Sequence, residues 1–136
     1  MKTISLIVAA LLLSGCAQPT SYSTTELDQA VLTTLAGDMA GTIAAHNPAS
    51  TLFSLDKGKF SPLLADDLRK KGFVVTIGKQ TASQDAKKIS YIIDWVSPEK
   101  LYSSAMIGDE RYTKAYQISA GKIQSSAGTI VGVSHE

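Results

Sequence analysis

Apolar residues recur along this chain at two different periods, and the change from one to the other divides it. Leu27, Val31, Leu35, Met39 and Ile43 follow at steps of four, with Leu32 and Ala36 widening the stripe. That spacing predicts a helix with one buried face. Ser23-Thr24-Thr25-Glu26 has the form of a capping box, a hydroxyl followed three residues on by Glu, and so predicts where the helix begins. Asn47-Pro48 ends it, because the residue before proline is pushed out of the helical region. Gly37 and Gly41 lie inside the stripe, each costing about 1 kcal/mol relative to Ala. They offer either a smooth face for a neighbouring backbone or a tolerated looseness.

A short strand is predicted over 50–55, with Asp56-Lys57-Gly58 as a turn. A second helix is predicted over 59–71, with Phe60, Leu63, Leu64 and Leu68 on its apolar face. Ser61-Pro62 suits its cap and first turn, and Gly72 the position after its end. Residues 73–77 read as a buried strand and 78–88 as a polar loop. From there the period becomes two. Ile89, Tyr91, Ile93 and Trp95 alternate on one face, and strands over 101–107 and 111–118 meet at the two-residue turn Gly108-Asp109. Ala120-Gly121 turns the chain into a strand over 122–126, which 128–133 extends. Two amphipathic helices packed on a mostly antiparallel sheet make this an α+β fold.

The N-terminus obeys neither period. Lys2 leads into an apolar run from Ile4 to Leu13, broken only by Ser5, then Ser14, Gly15 and Cys16. A positive start, a short apolar stretch and small residues at its end are what a secretory signal needs, and the run is too short for a membrane-spanning helix of about 20 residues. Leu13-Ser14-Gly15-Cys16 matches the lipobox of bacterial lipoproteins, in which the thiol is acylated and the leader cleaved just before it. The chain then divides into a signal peptide over 1–15, a lipidated flexible tether over 16–25, rich in Ser, Thr, Gln and Pro, and a domain over 26–136. Ala17 in place of Asp after the cysteine is similar to Gram-negative lipoproteins sorted to the outer membrane, facing the periplasm.

Of 136 residues, 121 remain after the leader, enough for one small core. Basic and acidic residues balance at 12 each once Lys2 is removed. Such a balance leaves no electrostatic footprint for direct nucleic-acid binding. Cys16 is the only cysteine, so no intrachain disulfide contributes.

Catalytic patterns are missing from the sequence. Of the two histidines, His46 sits at a predicted helix end, where a ring can satisfy carbonyls, and His135 is next to last. No paired-histidine metal motif, Gly-x-Ser-x-Gly elbow or phosphate loop occurs. Asp66 and Asp67 are helix neighbours about 100° apart and suit a solvated face, as Arg69, Lys70 and Lys71 suit a solvated last turn. These readings give no enzyme, no cofactor and no metal. Tyr91 with Trp95, and Tyr112 with Tyr116, share strand faces. Such ladders usually build a buried surface; they are also the interface aromatics this sequence offers.

The ordered set of motifs resembles the TrbH family of conjugal-transfer lipoproteins. It comprises the lipobox at Cys16; the helix ending in His46-Asn47-Pro48-Ala49-Ser50-Thr51; Phe53-Ser54-Leu55; Phe60, Leu63-Leu64, Leu68-Arg69 and Lys71-Gly72-Phe73; Ile89-Ser90-Tyr91-Ile92-Ile93-Asp94; Leu101-Tyr102; and Tyr112-Thr113-Lys114-Ala115-Tyr116. The resemblance implies a non-catalytic outer-membrane lipoprotein of a conjugative type IV secretion system, with palmitate among its acyl groups and a fold similar to secretin N-domains. It implies anchoring and stabilising of the outer-membrane core complex within an oligomeric ring. Cys16 would carry the lipid, and Ala17, Gln18, Pro19, Thr20, Ser21 and Tyr22 would bind the partner subunit. The alternative is a free-standing envelope lipoprotein that binds peptidoglycan or a peptide.

Overall fold

The computed structural model describes residues 21–24, 27–78, 85–120, 122–125 and 130–133. In chain order the elements are β1 (Tyr22–Ser23), α1 (Gln29–His46), β2 (Leu52–Leu55), α2 (Ser61–Lys70), β3 (Val74–Ile77), β4 (Lys87–Ser97), β5 (Lys100–Ile107), β6 (Glu110–Ser119), β7 (Lys122–Ser125) and β8 (Ile130–Val133). One eight-stranded sheet runs β3-β2-β4-β5-β6-β7, with β1 paired to β4 and β8 to β6. The pairs of β2 with β3, β2 with β4 and β1 with β4 are parallel; the others are antiparallel. The fold is α+β, with two helices on a mostly antiparallel mixed sheet.

Strand registers assign the two faces. Ile89, Tyr91, Ile93 and Trp95 lie opposite Ile107, Ala105, Ser103 and Leu101, which lie opposite Glu110, Tyr112, Lys114 and Tyr116. Together with Phe53 and Leu55 of β2 and Val75 of β3, their apolar members form one core with Val31, Leu35, Ala36, Met39 and Ile43 of α1 and Leu64 and Leu68 of α2. The alternation that marked the strands therefore points at the helices, as a half-covered sheet requires. The other face carries Tyr22, Val74 and Ile130 well exposed.

Several boundaries differ from expectation. Ser23 does not cap α1. It lies in β1, and the helix begins at Gln29 after Asp28 in an extended conformation with no side-chain cap. A backbone pairing with β4 outcompetes the local capping pattern. Helix α2 is shorter than 59–71, and Ser61 is a buried hydrogen-bonding residue of its first turn rather than a cap. Its C-terminus behaves as read. Gly72 takes φ 97°, its N–H reaches Arg69 O at 3.0 Å, and Phe73 N–H reaches Leu68 O at 3.1 Å, the paired bonds of a Schellman motif. Lys87 and Lys88, expected in a loop, start β4 because they pair with Phe53 and Ser54 of β2. Residues 130–133 do not extend β7. Both strands use the same edge of β6, β7 along 116–119 and β8 along 110–113. Inside α1, among the described residues, a Cβ at Gly41 would meet nothing within 4 Å and one at Gly37 only Asp67 Oδ2 at 3.8 Å, so none of their backbone presses on these glycines.

Candidate functional site

β2 stops at Leu55, opposite Ile89, and the chain turns away at Asp56. The edge of β4 beyond Ile89 would then carry unpaired backbone groups, which are costly when buried. Residues 21–24 take that edge. Tyr22 and Ser23 pair with Ile92 and Ile93, and Thr24 N–H donates to Ile93 O at 3.0 Å. Tyr91 N–H donates to Ser21 Oγ at 3.1 Å, and Ser21 N–H to Asp56 Oδ2 at 3.3 Å. The other Asp56 oxygen faces Lys88 Nζ at 3.4 Å. The end of the expected tether is thus clamped to the domain, beside the turn that ends β2.

Polar links tie the helix side to the sheet. Ser61 Oγ donates to Asp56 O and lies 2.8 Å from Tyr91 Oη, whose ring meets Phe60 edge-on at 4.9 Å. Burial, opposed by Ser61 and aided by the charge of Asp56, raises the Tyr91 phenol. On α1, Asp38 Oδ2 accepts from Tyr116 Oη at 2.6 Å and Lys114 Nζ at 2.8 Å. Burial raises the Asp38 carboxyl, but those two donors and the lysine charge more than offset it and leave it below 3.8. Tyr116 is raised by burial and then by Asp38. Tyr112 donates to Glu110 and is pushed up to about 12 by burial and that carboxylate.

His46 closes α1 by placing Nδ1 2.8 Å from Thr42 O, so Nδ1 carries the proton, and its ring lies 4.7 Å from that of Tyr112. Here a cavity of about 550 Å³ opens between the helix end and the β5–β6 hairpin, with His46, Pro48, Lys87, Lys88, Met106 and Glu110 among its walls. Mixed charge beside apolar surface suits a short peptide or similar polar ligand. Among the described residues, no group of three or more His, Cys, Asp or Glu could hold a metal, and no helix is long and apolar enough to cross a membrane.

The sequence-predicted site residues fare differently. Cys16, Ala17, Gln18, Pro19 and Thr20 lie outside the described residues. Ser21 and Tyr22 belong to the β1 clamp, with the Tyr22 ring 52% exposed on the helix-free face. Tyr91, Tyr112 and Tyr116 are only 2–3% exposed. Their rings are core and unavailable to a partner in this state, because the face they share is the one α1 and α2 cover. Trp95 is partly buried against the same core, and its indole N–H finds no acceptor among the described residues. Asp38 and Glu110 escaped the sequence reading, and Asp56 and Ser61 were read only as turn and cap; Asp38, Asp56 and Ser61 meet partners distant in sequence, whereas Glu110 meets Tyr112 two residues along the same strand. The faint signal was a carboxylate inside an otherwise neutral helix.

The whole described fold lies within a stretch, residues 15–134, that matches the family described as conjugal transfer protein TrbH. The chain belongs to the TrbH family. Membership implies a role in conjugal transfer, as part of the type IV secretion apparatus that performs it, and association with the cell envelope. No curated protein and no solved structure matches the chain.

Proposed function

We propose that this TrbH-family chain is a non-catalytic lipoprotein that pins the outer-membrane core complex of the transfer apparatus to the outer membrane. The family match over 15–134 carries the reading, since it spans the Gly15-Cys16 junction together with all the described residues of the domain. Acyl chains on Cys16 contribute about 0.8 kcal/mol per buried CH₂, so several chains hold firmly. Ala17, Gln18, Pro19, Thr20, Ser21 and Tyr22 are the partner-binding stretch in this reading; Ser21 and Tyr22 are held on β4 with the Tyr22 side chain left exposed. The domain then stands at the periphery of a ring of core-complex subunits. Replacing Cys16→Ser should leave a folded domain, remove it from the membrane fraction and abolish conjugation. Wild-type transfer frequency from that variant would refute the anchor role.

The cavity at His46 and Glu110 favours one second reading, a free-standing envelope lipoprotein that holds peptidoglycan or a peptide there. Retention of the pure protein on isolated cell wall, lost on filling the cavity with Ser90→Trp, would support it. Recovery in ring-shaped assemblies with transfer subunits supports the first.

A further inference from the structure

We infer that the turn over 56–59, beside β1, is the membrane-facing side of the domain, and that Lys57 and Lys59 contact phospholipid phosphates there. The inference rests on the acylation of Cys16 proposed above. From Cys16 to the clamped Ser21 is five residue steps, which span at most about 18 Å when fully extended. The domain cannot drift from the bilayer on so short a lead. The point of attachment is fixed by Ser21 N–H on Asp56 Oδ2 and Tyr91 N–H on Ser21 Oγ, so one side of the fold is always the nearest to the lipid.

That side carries the right chemistry. Ser21, Lys57, Gly58 and Lys59 are among the walls of a recess of about 260 Å³ that Leu27 and Leu32 also line. Among the described residues neither lysine joins an ion pair, so no carboxylate of the fold competes for them; Lys71, Lys87, Lys100 and Lys122 are likewise without one but lie elsewhere on the fold. The nearby carboxylate, Asp56, faces Lys88. The stem of Lys57 lies over Gly78 at the end of β3, its Cε 3.0 Å from where a Cβ would stand, which leaves the ammonium to reach outward. Juxtamembrane lysines gain from an anionic leaflet within about a Debye length, roughly 10 Å. The basic end of α2 does not share this position. Arg69 is spent on Val75 O at 2.7 Å, and Lys70 and Lys71 sit beside the start of β3, at the opposite end of β2 from Asp56.

Amine-reactive labelling of the processed, acylated full chain, read residue by residue after digestion, tests this. In phosphatidylethanolamine–phosphatidylglycerol vesicles, labelling of Lys57 and Lys59 should fall about fivefold relative to detergent, while Lys71 stays unchanged. The loss should shrink in vesicles of neutral lipid and at high salt. Equal labelling of Lys57 and Lys59 in vesicles and detergent, with Cys16 acylated, overturns the orientation and leaves the anchor standing. Protection of Lys71 instead overturns it too. Equal protection in detergent by inorganic phosphate alone would mark a free-anion site and overturn the lipid contact. The mass of the Cys16 peptide in the same digest reports the anchor separately: an unmodified thiol removes the premise and this inference with it.

Discussion

The hydroxyl of Tyr116, on β6 next to the sheet edge, donates to Asp38 of α1 at 2.6 Å, and Lys114 completes the same carboxylate at 2.8 Å. This link ties α1 to β6 alongside the buried Leu35, Met39 and Ile43 stripe. Tyr116→Phe keeps the ring and loses the donor. It should cost about 1 kcal/mol, since Asp38 is partly solvated and retains Lys114. Urea unfolding should show a lower midpoint at unchanged slope.

The same carboxylate sets an acid limit. Its folded-state value lies below the ordinary 3.8 because Lys114 and Tyr116 outweigh burial. A depressed carboxylate adds stability that is fully present above the unfolded value and is lost as pH falls through the folded one. Stability should therefore drop below pH 3.8, and Asp38→Asn should be less stable at neutral pH yet flatter through that range. Parallel acid profiles for the two proteins would contradict the assignment.

Tyrosines set the alkaline limit. Tyr91, Tyr112 and Tyr116 are all raised above 10, Tyr112 to about 12. Raised groups contribute stability that is complete below the unfolded value and is lost as pH rises through the folded value. Unfolding should set in between pH 10 and about 12, with tyrosinate absorbance from these rings rising together with loss of structure. Ionisation of Tyr112 well below its unfolded value, in a folded chain, would refute the burial and Glu110 contact that raise it.

Gly58 lets the turn after β2 pass close to Tyr91, whose Oη would stand 2.9 Å from a Cβ there. Gly58→Ala should destabilise by about 1–3 kcal/mol through overpacking. Adding Tyr91→Phe removes the atom in the way, so the double variant should lose clearly less than the two single losses combined. Simple additivity in that double-mutant cycle would show that the close approach is not the cause.

Two hairpin residues predict changes of opposite sign. Ala120 has φ 52°, in the left-handed region where a Cβ costs roughly 1 kcal/mol. Ala120→Gly should raise the melting temperature. Gly108 has φ 62° with open space around it, so Gly108→Ala should lower stability by about 1 kcal/mol through strain alone. The same sign from both would sink the argument.

The N-terminal clamp can be loosened without touching the core. Asp56→Ala removes the acceptor of Ser21 N–H and the partner of Lys88. Hydrogen exchange at the Thr24 amide should quicken about fivefold, the effect of losing roughly 1 kcal/mol of local bonding, while core amides in β5 stay protected. Unchanged exchange at Thr24 would mean that β1 holds without Asp56.

Much of this was visible along the chain because the signals are local. The step of four from Val31 to Ile43, the stop at Asn47-Pro48, the Gly72 terminus and the Gly108-Asp109 turn each depend on backbone preferences of residues close in sequence. The failures share one cause. Ser23 looked like a cap and Lys87 like a loop residue until strands distant in sequence offered them hydrogen bonds. The aromatic pairs were placed on shared faces correctly, but a period of two says nothing about which face a helix will cover.

Periodicity and turn chemistry, then, determined on their own that this chain builds two helices and a meander, and its ordered motifs pointed to the family that the match over 15–134 shows. Tertiary structure alone decided that residues 21–24 close the sheet edge and that Asp38 and Asp56 become the polar joints of the fold. The reason is physical. Local conformational preferences act between neighbours, whereas an orphaned strand edge or a half-buried carboxylate is satisfied by whatever donor the folded chain brings within about 3 Å.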